Sequence, residues 1–201
     1  YAARELQTRG LRVLMLEEHS EIGKPFQCAG LVNPGAMRKV KLEETILTNV
    51  FGARIHSPAG IMLPVGTDGK VRTHVVCRKL FDEGVVRQAI DVGADLWLDS
   101  KPKSITVNDE GVEIVIDKYG EEISVYCSLI IGADGAHSWT RRYFKLGHPK
   151  EWMVGFQTEV TGYSGKDCWL DMYTGKEVAP GFFAWVIPNG ETHRILSLIH
   201  I

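Results

Sequence analysis

Cysteine is sparse in this 201-residue chain, and what there is excludes two classes of protein. Cys28, Cys77, Cys127 and Cys168 lie far apart with no CxxC pair, so neither a disulfide scaffold nor a zinc or iron–sulfur site is expected, and no metal is. No apolar run approaches the roughly 20 residues that a membrane-spanning helix needs. A formal net charge of −2 and the absence of any basic or aromatic-interleaved cluster leave no electrostatic case for nucleic acid as a partner. Neither a secretory leader, an internal repeat nor a low-complexity tract is visible, and the setting that fits is reducing and cytoplasmic. Glycine is plentiful, yet no GxGxxG string occurs. The hydrophobic fraction of 44% and charged fraction of 24% are ordinary for a globular protein, and the length allows one large domain or two small ones.

The most informative string runs from Leu129 to Arg142, LIIGADGAHSWTRR. Its apolar opening reads as a short buried strand that breaks at Gly132, passes through Ala133-Asp134-Gly135 and leads into a polar stretch able to start a helix. The two glycines allow a close approach of backbone and ligand, and Asp134 stands at a strand end, where open α/β sheets place their ligands. A carboxylate there can accept hydrogen bonds from sugar or ribityl hydroxyls. A plain strand–turn–helix corner accounts for the same string equally well.

A second pattern opens the chain. Tyr1 to Arg9 reads as the last turns of a helix stopped by Gly10, followed by the apolar strand Leu11–Leu16 and the acids Glu17 and Glu18. Helix, glycine, buried strand and acid form the second half of a dinucleotide-binding βαβ unit, in which the acid, here Glu17, bonds the adenosine ribose. A solvated strand end is the alternative. The Gly-rich turn that would hold the pyrophosphate is absent. The first residue is not Met, and Arg194–Ile201 stops in what reads as mid-strand. The residues therefore read as an excerpt of a longer protein that by itself is not expected to hold a dinucleotide.

Between these landmarks, Ile22–Gly35 is irregular but apolar, a composition typical of loops that line a site. Short strands are expected over residues 50–76, and an amphipathic helix over Arg78–Val92 with Leu80, Phe81, Val85, Ala89 and Val92 at helical spacing. A β-meander then runs through Leu96–Leu98, Ser104–Val107, Val112–Ile116 and Ile123–Cys127, with turns at Asn108–Gly111 and Lys118–Gly120. Strands dominate again at Met153–Val160, Cys168–Tyr173, Phe182–Ile187 and Arg194–Ile201. The fold class is α/β: a Rossmann-like nucleotide domain over 1–49 and 72–150, incomplete at its start. A mostly antiparallel β-sheet substrate domain is inserted at 50–71 and resumes at 151–201.

The Asp-Gly string resembles that of FAD-dependent oxidoreductases with the para-hydroxybenzoate-hydroxylase-like fold. Four ordered segments, LRVLMLEEHSEIGKPFQCAG, CRKLFDEGVVRQAIDVGADLW, LIIGADGAHSWTRR and APGFFAWVIPNG, together resemble the geranylgeranyl reductase family, above all its archaeal digeranylgeranyl-glycerolipid members. This resemblance implies FAD as cofactor, with Glu17 at the adenosine ribose and Arg78 along the cofactor. Asp134, flanked by Gly132 and Gly135, would serve the ribityl and pyrophosphate region. It places Cys28, Ala29 and Gly30 close to the flavin ring, Cys28 donating a proton or shaping the pocket. The archaeal pattern Cys-Gly-Glu-Gly is Cys28-Ala29-Gly30-Leu31 here, without the acid. An aromatic strand lining the isoprenoid cavity is implied at Phe183 and Trp185; Phe183 stands where the family has Tyr, and Ile187 where it has Phe.

For several of these residues a plainer role stays open. Arg78 can simply pair with Asp82 one helical turn on. Cys28 can be a small buried apolar residue. Phe183 and Trp185 can be the core face of a sheet, and His137 reads as a helix-start residue. The function implied is saturation of isoprenoid C=C bonds in a prenyl lipid, with NAD(P)H or a ferredoxin-like protein as electron donor and peripheral contact with a membrane. A flavin monooxygenase and an electron-transfer flavoprotein–quinone oxidoreductase of the same fold are the alternatives.

Overall fold

The computed structural model describes residues 1–109 and 111–200; Glu110, in an expected turn, and Ile201, at the end of the last expected strand, lie outside the described residues. The first half of the chain forms α1 (Ala2–Thr8), β1 (Leu14–Leu16), β2 (Leu31–Val32), α2 (Pro34–Val40), β3 (Ile46–Val50), β4 (Gly52–His56), β5 (Met62–Gly66), β6 (Thr73–Val76) and α3 (Arg78–Ile90). The second half forms β7 (Asp95–Trp97), β8 (Ser100–Asn108), β9 (Gly111–Lys118), β10 (Glu121–Cys127), α4 (Trp139–Tyr143), β11 (Met153–Val160), β12 (Trp169–Thr174), β13 (Phe183–Asn189) and β14 (Thr192–His200). Contacts divide the chain into two units, one of Tyr1–Ile22 with Gln88–Lys150 and the other of Gly23–Arg87 with Glu151–Ile201. The expected nucleotide domain reached to residue 49 and resumed at 72. The structure instead groups residues 23–49 and 72–87 with the sheet strands, because β2 and β3 both pair with β6.

In the first unit, α1 ends at Gly10, whose φ of 85° and N–H bond to the Gln7 carbonyl turn the chain into β1. β1 lies parallel to β7 with Leu14 opposite Asp95 and Leu16 opposite Trp97. A parallel pair is what a βαβ reading requires. The strand is shorter than the apolar run: Leu11 to Val13 lie outside it. β8, β9 and β10 form the antiparallel meander, one strand fewer than expected, since Leu96 and Trp97 belong to β7 and pair with β1 instead. The β9–β10 turn is a two-residue hairpin with positive φ at both Tyr119 and Gly120, the twist that suits adjacent strands.

One expected strand is absent. Leu129–Ile131 pairs with nothing among the described residues, and Leu129 is 70% and Ile131 57% exposed. A strand exists by its ladder, and an apolar run without a partner strand is only an extended segment.

The second unit is layered. β2, β6 and β3 form a three-stranded antiparallel sheet, and β11-β14-β13-β12-β4-β5 a six-stranded one whose only parallel pair is β12 with β4. Adjacent residues of β6 point to opposite faces, and both faces are filled. Val76 joins Val32, Met37, Val40 and Leu42, with Phe81 and Val85 of α3 packed on them. Val75 joins Val50 and Ile187, against which Ala29, Leu170, Trp185 and Leu196 pack. The small sheet thus carries α2 and α3 on one side and the large sheet on the other. α2 begins inside the stretch expected to be irregular and runs beyond it: Asn33 caps it by accepting the Ala36 N–H at 2.8 Å, Pro34 occupies its first turn, and Lys41 ends it in the left-handed conformation.

Candidate functional site

The Asp134 corner builds itself from its own side chains. Ser138 Oγ donates to Asp134 Oδ1 at 2.5 Å, and the N–H and hydroxyl of Thr140 donate to Oδ2 at 2.8 and 3.0 Å. Ser138 in turn caps α4 by accepting the Arg141 N–H. Partial burial pushes the Asp134 carboxyl up, but these hydrogen bonds outweigh it and bring the carboxyl down to about 2. The group is therefore ionised at any working pH and remains exposed. A Cβ at Gly132 would lie 2.7–2.8 Å from the Thr140 side chain, so glycine is what lets the loop close on α4. Gly135 has φ 71° with open space around it; there the requirement is conformational, not steric.

Glu17 follows β1 directly. Its N–H bonds the Trp97 carbonyl, which fixes the residue beside the end of β7. Oε1 accepts the His19 N–H at 3.0 Å and lies 2.6 Å from His19 Nδ1, whereas Oε2 has no partner among the described residues. Glu18 is occupied by Lys101 at 3.2 Å. Each acid thus keeps one carboxylate oxygen without a partner among the described residues, and Glu17 is the one that stands directly at the end of β1.

The other unit holds the remaining candidates. Arg78 makes the plain pairing expected of it, with Nη2 donating to Asp82 at 2.6 and 2.8 Å, and it also does more: Nη1 donates to Cys28 Sγ at 3.4 Å. Partial burial pulls the Arg78 guanidinium down, but Asp82 and the Cys28 sulfur outweigh it, leaving it above its ordinary value and always charged. Gly30 has φ 77°, and its carbonyl accepts the Val76 N–H at 2.9 Å, stitching the loop to β6. Ala29 packs on the same buried cluster as Trp185. Phe183, Trp185 and Ile187 alternate onto one face of β13, and the rings of Phe183 and Trp185 lie 4.9 Å apart with Phe182 stacked 4.3 Å from Phe183. The indole Nε1 of Trp185 is buried with no hydrogen-bond acceptor among the described residues. Cys28, Ala29, Arg78 and the aromatic strand are thus gathered by one unit, while Glu17 and the Asp134 corner belong to the other.

Two residues escaped the sequence reading. Arg194 is only 2% exposed and bonds Ala29, Glu159 and Asn189. Asp171 is 1% exposed and accepts from Arg54, His56 and Tyr163. The available signal was the same for both: a lone ion inside an otherwise apolar strand, which must be paired to be buried. Among the described residues no three His, Cys, Asp or Glu side chains gather as a metal-ligand group, and no helix is long and apolar enough to cross a membrane.

A parallel strand pair ending in an acid, an Asp-Gly corner and a mostly antiparallel sheet with an aromatic strand define a flavoprotein-type α/β fold. The chain belongs to the FAD binding domain family, whose model matches residues 1–194. It is 29% identical over 198 residues to the digeranylgeranylglycerophospholipid reductase of Methanosarcina acetivorans, spanning 94% of this chain and 49% of that one. To digeranylgeranylglycerophospholipid reductase 1 of Methanococcoides burtonii it is 32% identical over 199 residues, 94% of this chain and 48% of that one. A crystal structure of a geranylgeranyl bacteriochlorophyll reductase-like protein from Thermoplasma acidophilum superposes with a TM-score of 0.90 at 25% identity, over 98% of this chain and 53% of its own. The chain spans about half the length of the curated relatives it matches. The cofactor expected from the sequence, FAD, is the one for which the family is named.

Proposed function

We propose that the chain forms part of an FAD-dependent reductase that saturates the isoprenoid C=C bonds of a prenyl lipid. The observation that carries this reading is Trp185, with the Phe183 ring against it, packed on the same buried cluster as Ala29, the residue after Cys28. An aromatic wall beside an irregular, largely apolar loop that carries a thiol suits an alkyl chain with one reactive bond to be held in place. When bound and reduced by an external donor, NAD(P)H or a ferredoxin-like protein, FAD supplies the hydride equivalent for that chemistry.

Of the chain's own residues, Glu17 would offer Oε2 to the ribose hydroxyls, and the ionised Asp134 would serve the ribityl and pyrophosphate region, with Gly132 and Gly135 leaving the backbone bare. Arg78 would lie along the cofactor, and Cys28 with Ala29 and Gly30 would border the flavin. Cys28 would supply the proton for the second alkene carbon, its sulfur within reach of the Arg78 N–H. The reading includes a cytoplasmic protein meeting its substrate at a membrane surface.

The test uses full-length protein with its flavin reduced under anaerobic conditions and then mixed with a digeranylgeranyl glycerolipid. Return of the oxidised flavin spectrum together with lipid gaining two hydrogens per bond supports the proposal. Reoxidation that requires oxygen, with hydroxylated product, favours the monooxygenase instead. Substituting Glu17 by Gln is expected to weaken FAD binding roughly tenfold, the worth of one hydrogen bond to a charged acceptor, in a flavin-fluorescence titration. An unchanged dissociation constant would remove Glu17 from the cofactor site.

A further inference from the structure

We propose that Arg194 is the positioning residue for the Cys28 loop, holding the Phe26 ring before the cysteine and the Ala29 carbonyl after it and so setting where the thiol stands. Its importance rests on the reading of that loop as the flavin's border. Arg194 lies on β14 opposite Ile187, which puts it on the same sheet face as Phe183 and Trp185. An apolar side chain would suit that face, and burying a guanidinium there is costly unless every N–H group is used.

The way they are used points at the loop. Nη2 donates to Glu159 at 3.0 Å and to Asn189 at 2.9 Å, anchoring the guanidinium within the sheet. Nη1 then reaches out to the Ala29 carbonyl at 2.7 Å. The same group lies over the Phe26 ring, 4.5 Å from its centroid, and against Gly30, where an added Cβ would come within 3.1 Å of Nη1. Phe26, Ala29 and Gly30 bracket Cys28, so one buried cation touches the loop before and after it. No backbone–backbone hydrogen bond joins Phe26 through Ala29 to the rest of the chain among the described residues. The polar contacts that place the loop at these positions come from Arg194, and from Arg78 at the thiol itself, beside the packing of Ala29 on its buried cluster. Only a planar fork serves three acceptors and a ring at once; a lysine ammonium cannot.

Cys28 reactivity reads this directly. Full-length protein is alkylated with iodoacetamide without added FAD, and the rate at each cysteine is followed by peptide mass spectrometry, with half-buried Cys77, Cys127 and Cys168 as internal references. Arg194→Leu is expected to raise the Cys28 rate about tenfold, the equivalent of one charge-assisted hydrogen bond, with the other three within about twofold. Arg194→Lys, which keeps the charge but not the fork, should give a smaller rise confined to Cys28. An unchanged Cys28 rate in folded Arg194→Leu overturns the proposal. Should that variant open all four cysteines together, Arg194→Lys decides: a selective rise at Cys28 upholds the proposal and an unchanged rate overturns it. Repeating the labelling with saturating FAD separates the underlying reading. Slower alkylation of Cys28 supports the loop as the cofactor's border, and indifference to FAD overturns that border while the role of Arg194 is judged by the first comparison.

Discussion

Replacing Asp171 with alanine is expected to cost the protein about 3 kcal/mol of stability, the range measured when one member of a buried ion pair is removed. Asp171 Oδ2 accepts from Arg54 at 2.5 Å and Tyr163 at 2.7 Å, and Oδ1 lies 2.7 Å from His56 Nε2. Tyr163 and Tyr173 share a further hydrogen bond at 2.9 Å, and the Tyr173 ring stacks on His56. The network ties β4 to β12, the one parallel pair of the six-stranded sheet, and alanine would strand a guanidinium and two polar rings at once. Asp171→Asn keeps the shape and one acceptor oxygen and should cost less.

The same group gives a pH dependence. Burial pushes the Asp171 carboxyl up, but the bonds from Arg54, His56 and Tyr163 outweigh it and hold it below the ordinary carboxylate range. A lowered folded-state value means that the unfolded chain binds the proton more readily. The contribution is therefore fully present above the unfolded carboxylate value, about 3.9, and lost as pH falls through the folded one. Urea melts at pH 7 and pH 3 check both points: Asp171→Ala should lie well below wild type at pH 7, with the gap narrowing in acid. A gap that widens in acid would mean that the carboxylate is not the stabilising member.

The sequence shows the polar corner at Asp134 more clearly than the strand drawn in front of it. Ser138, Thr140 and Asp134 are close in sequence, so their bonds form locally wherever the chain turns. Leu129–Ile131 needs a neighbouring strand that local sequence cannot supply. For the same reason the grouping of residues 23–49 and 72–87 with the sheet strands is not visible locally: β2 and β3 lie far from β6 along the chain, and their pairing draws these stretches into the sheet unit. Asn33-Pro34 did announce a helix start, but Gly23, Pro25, Gly30 and Gly35 around it read as punctuation of a loop. Arg78 makes the pairing with Asp82 that its spacing announces, and its guanidinium also reaches Cys28, a contact that no local pattern shows. The Cys28 loop was legible from its composition as an irregular, apolar segment. What holds it was not, because Arg194 lies 165 residues from Ala29 in sequence.

Gly30→Ala is expected to be the most damaging single-methyl change in the chain's candidate site, and Gly135→Ala is its control. Both glycines have positive φ, 77° and 71°, so each substitution carries the left-handed penalty of about 1–2 kcal/mol. They differ in what surrounds them. At Gly135 an added Cβ meets nothing within 4 Å, and the cost should end with the backbone term. At Gly30 it would lie 2.7 Å from the Val76 carbonyl oxygen and 3.1 Å from Arg194 Nη1. The first atom is backbone in the middle strand of the three-stranded sheet and cannot yield. The loop must move instead, breaking the Val76 N–H bond to the Gly30 carbonyl and pulling Ala29 off Arg194. Two hydrogen bonds, one of them to a buried cation, add roughly 2–4 kcal/mol to the backbone term. Thermal melts should place Gly135→Ala a few degrees below wild type and Gly30→Ala several times further down. With the loop bordering the flavin as proposed, FAD titration should show the Gly30 variant weakened by about a hundredfold or more, since each 1.4 kcal/mol spent on restoring the loop for binding is tenfold in affinity. Equal effects of the two substitutions would mean that contact with β6 and Arg194 does not govern the loop, and that backbone conformation alone does.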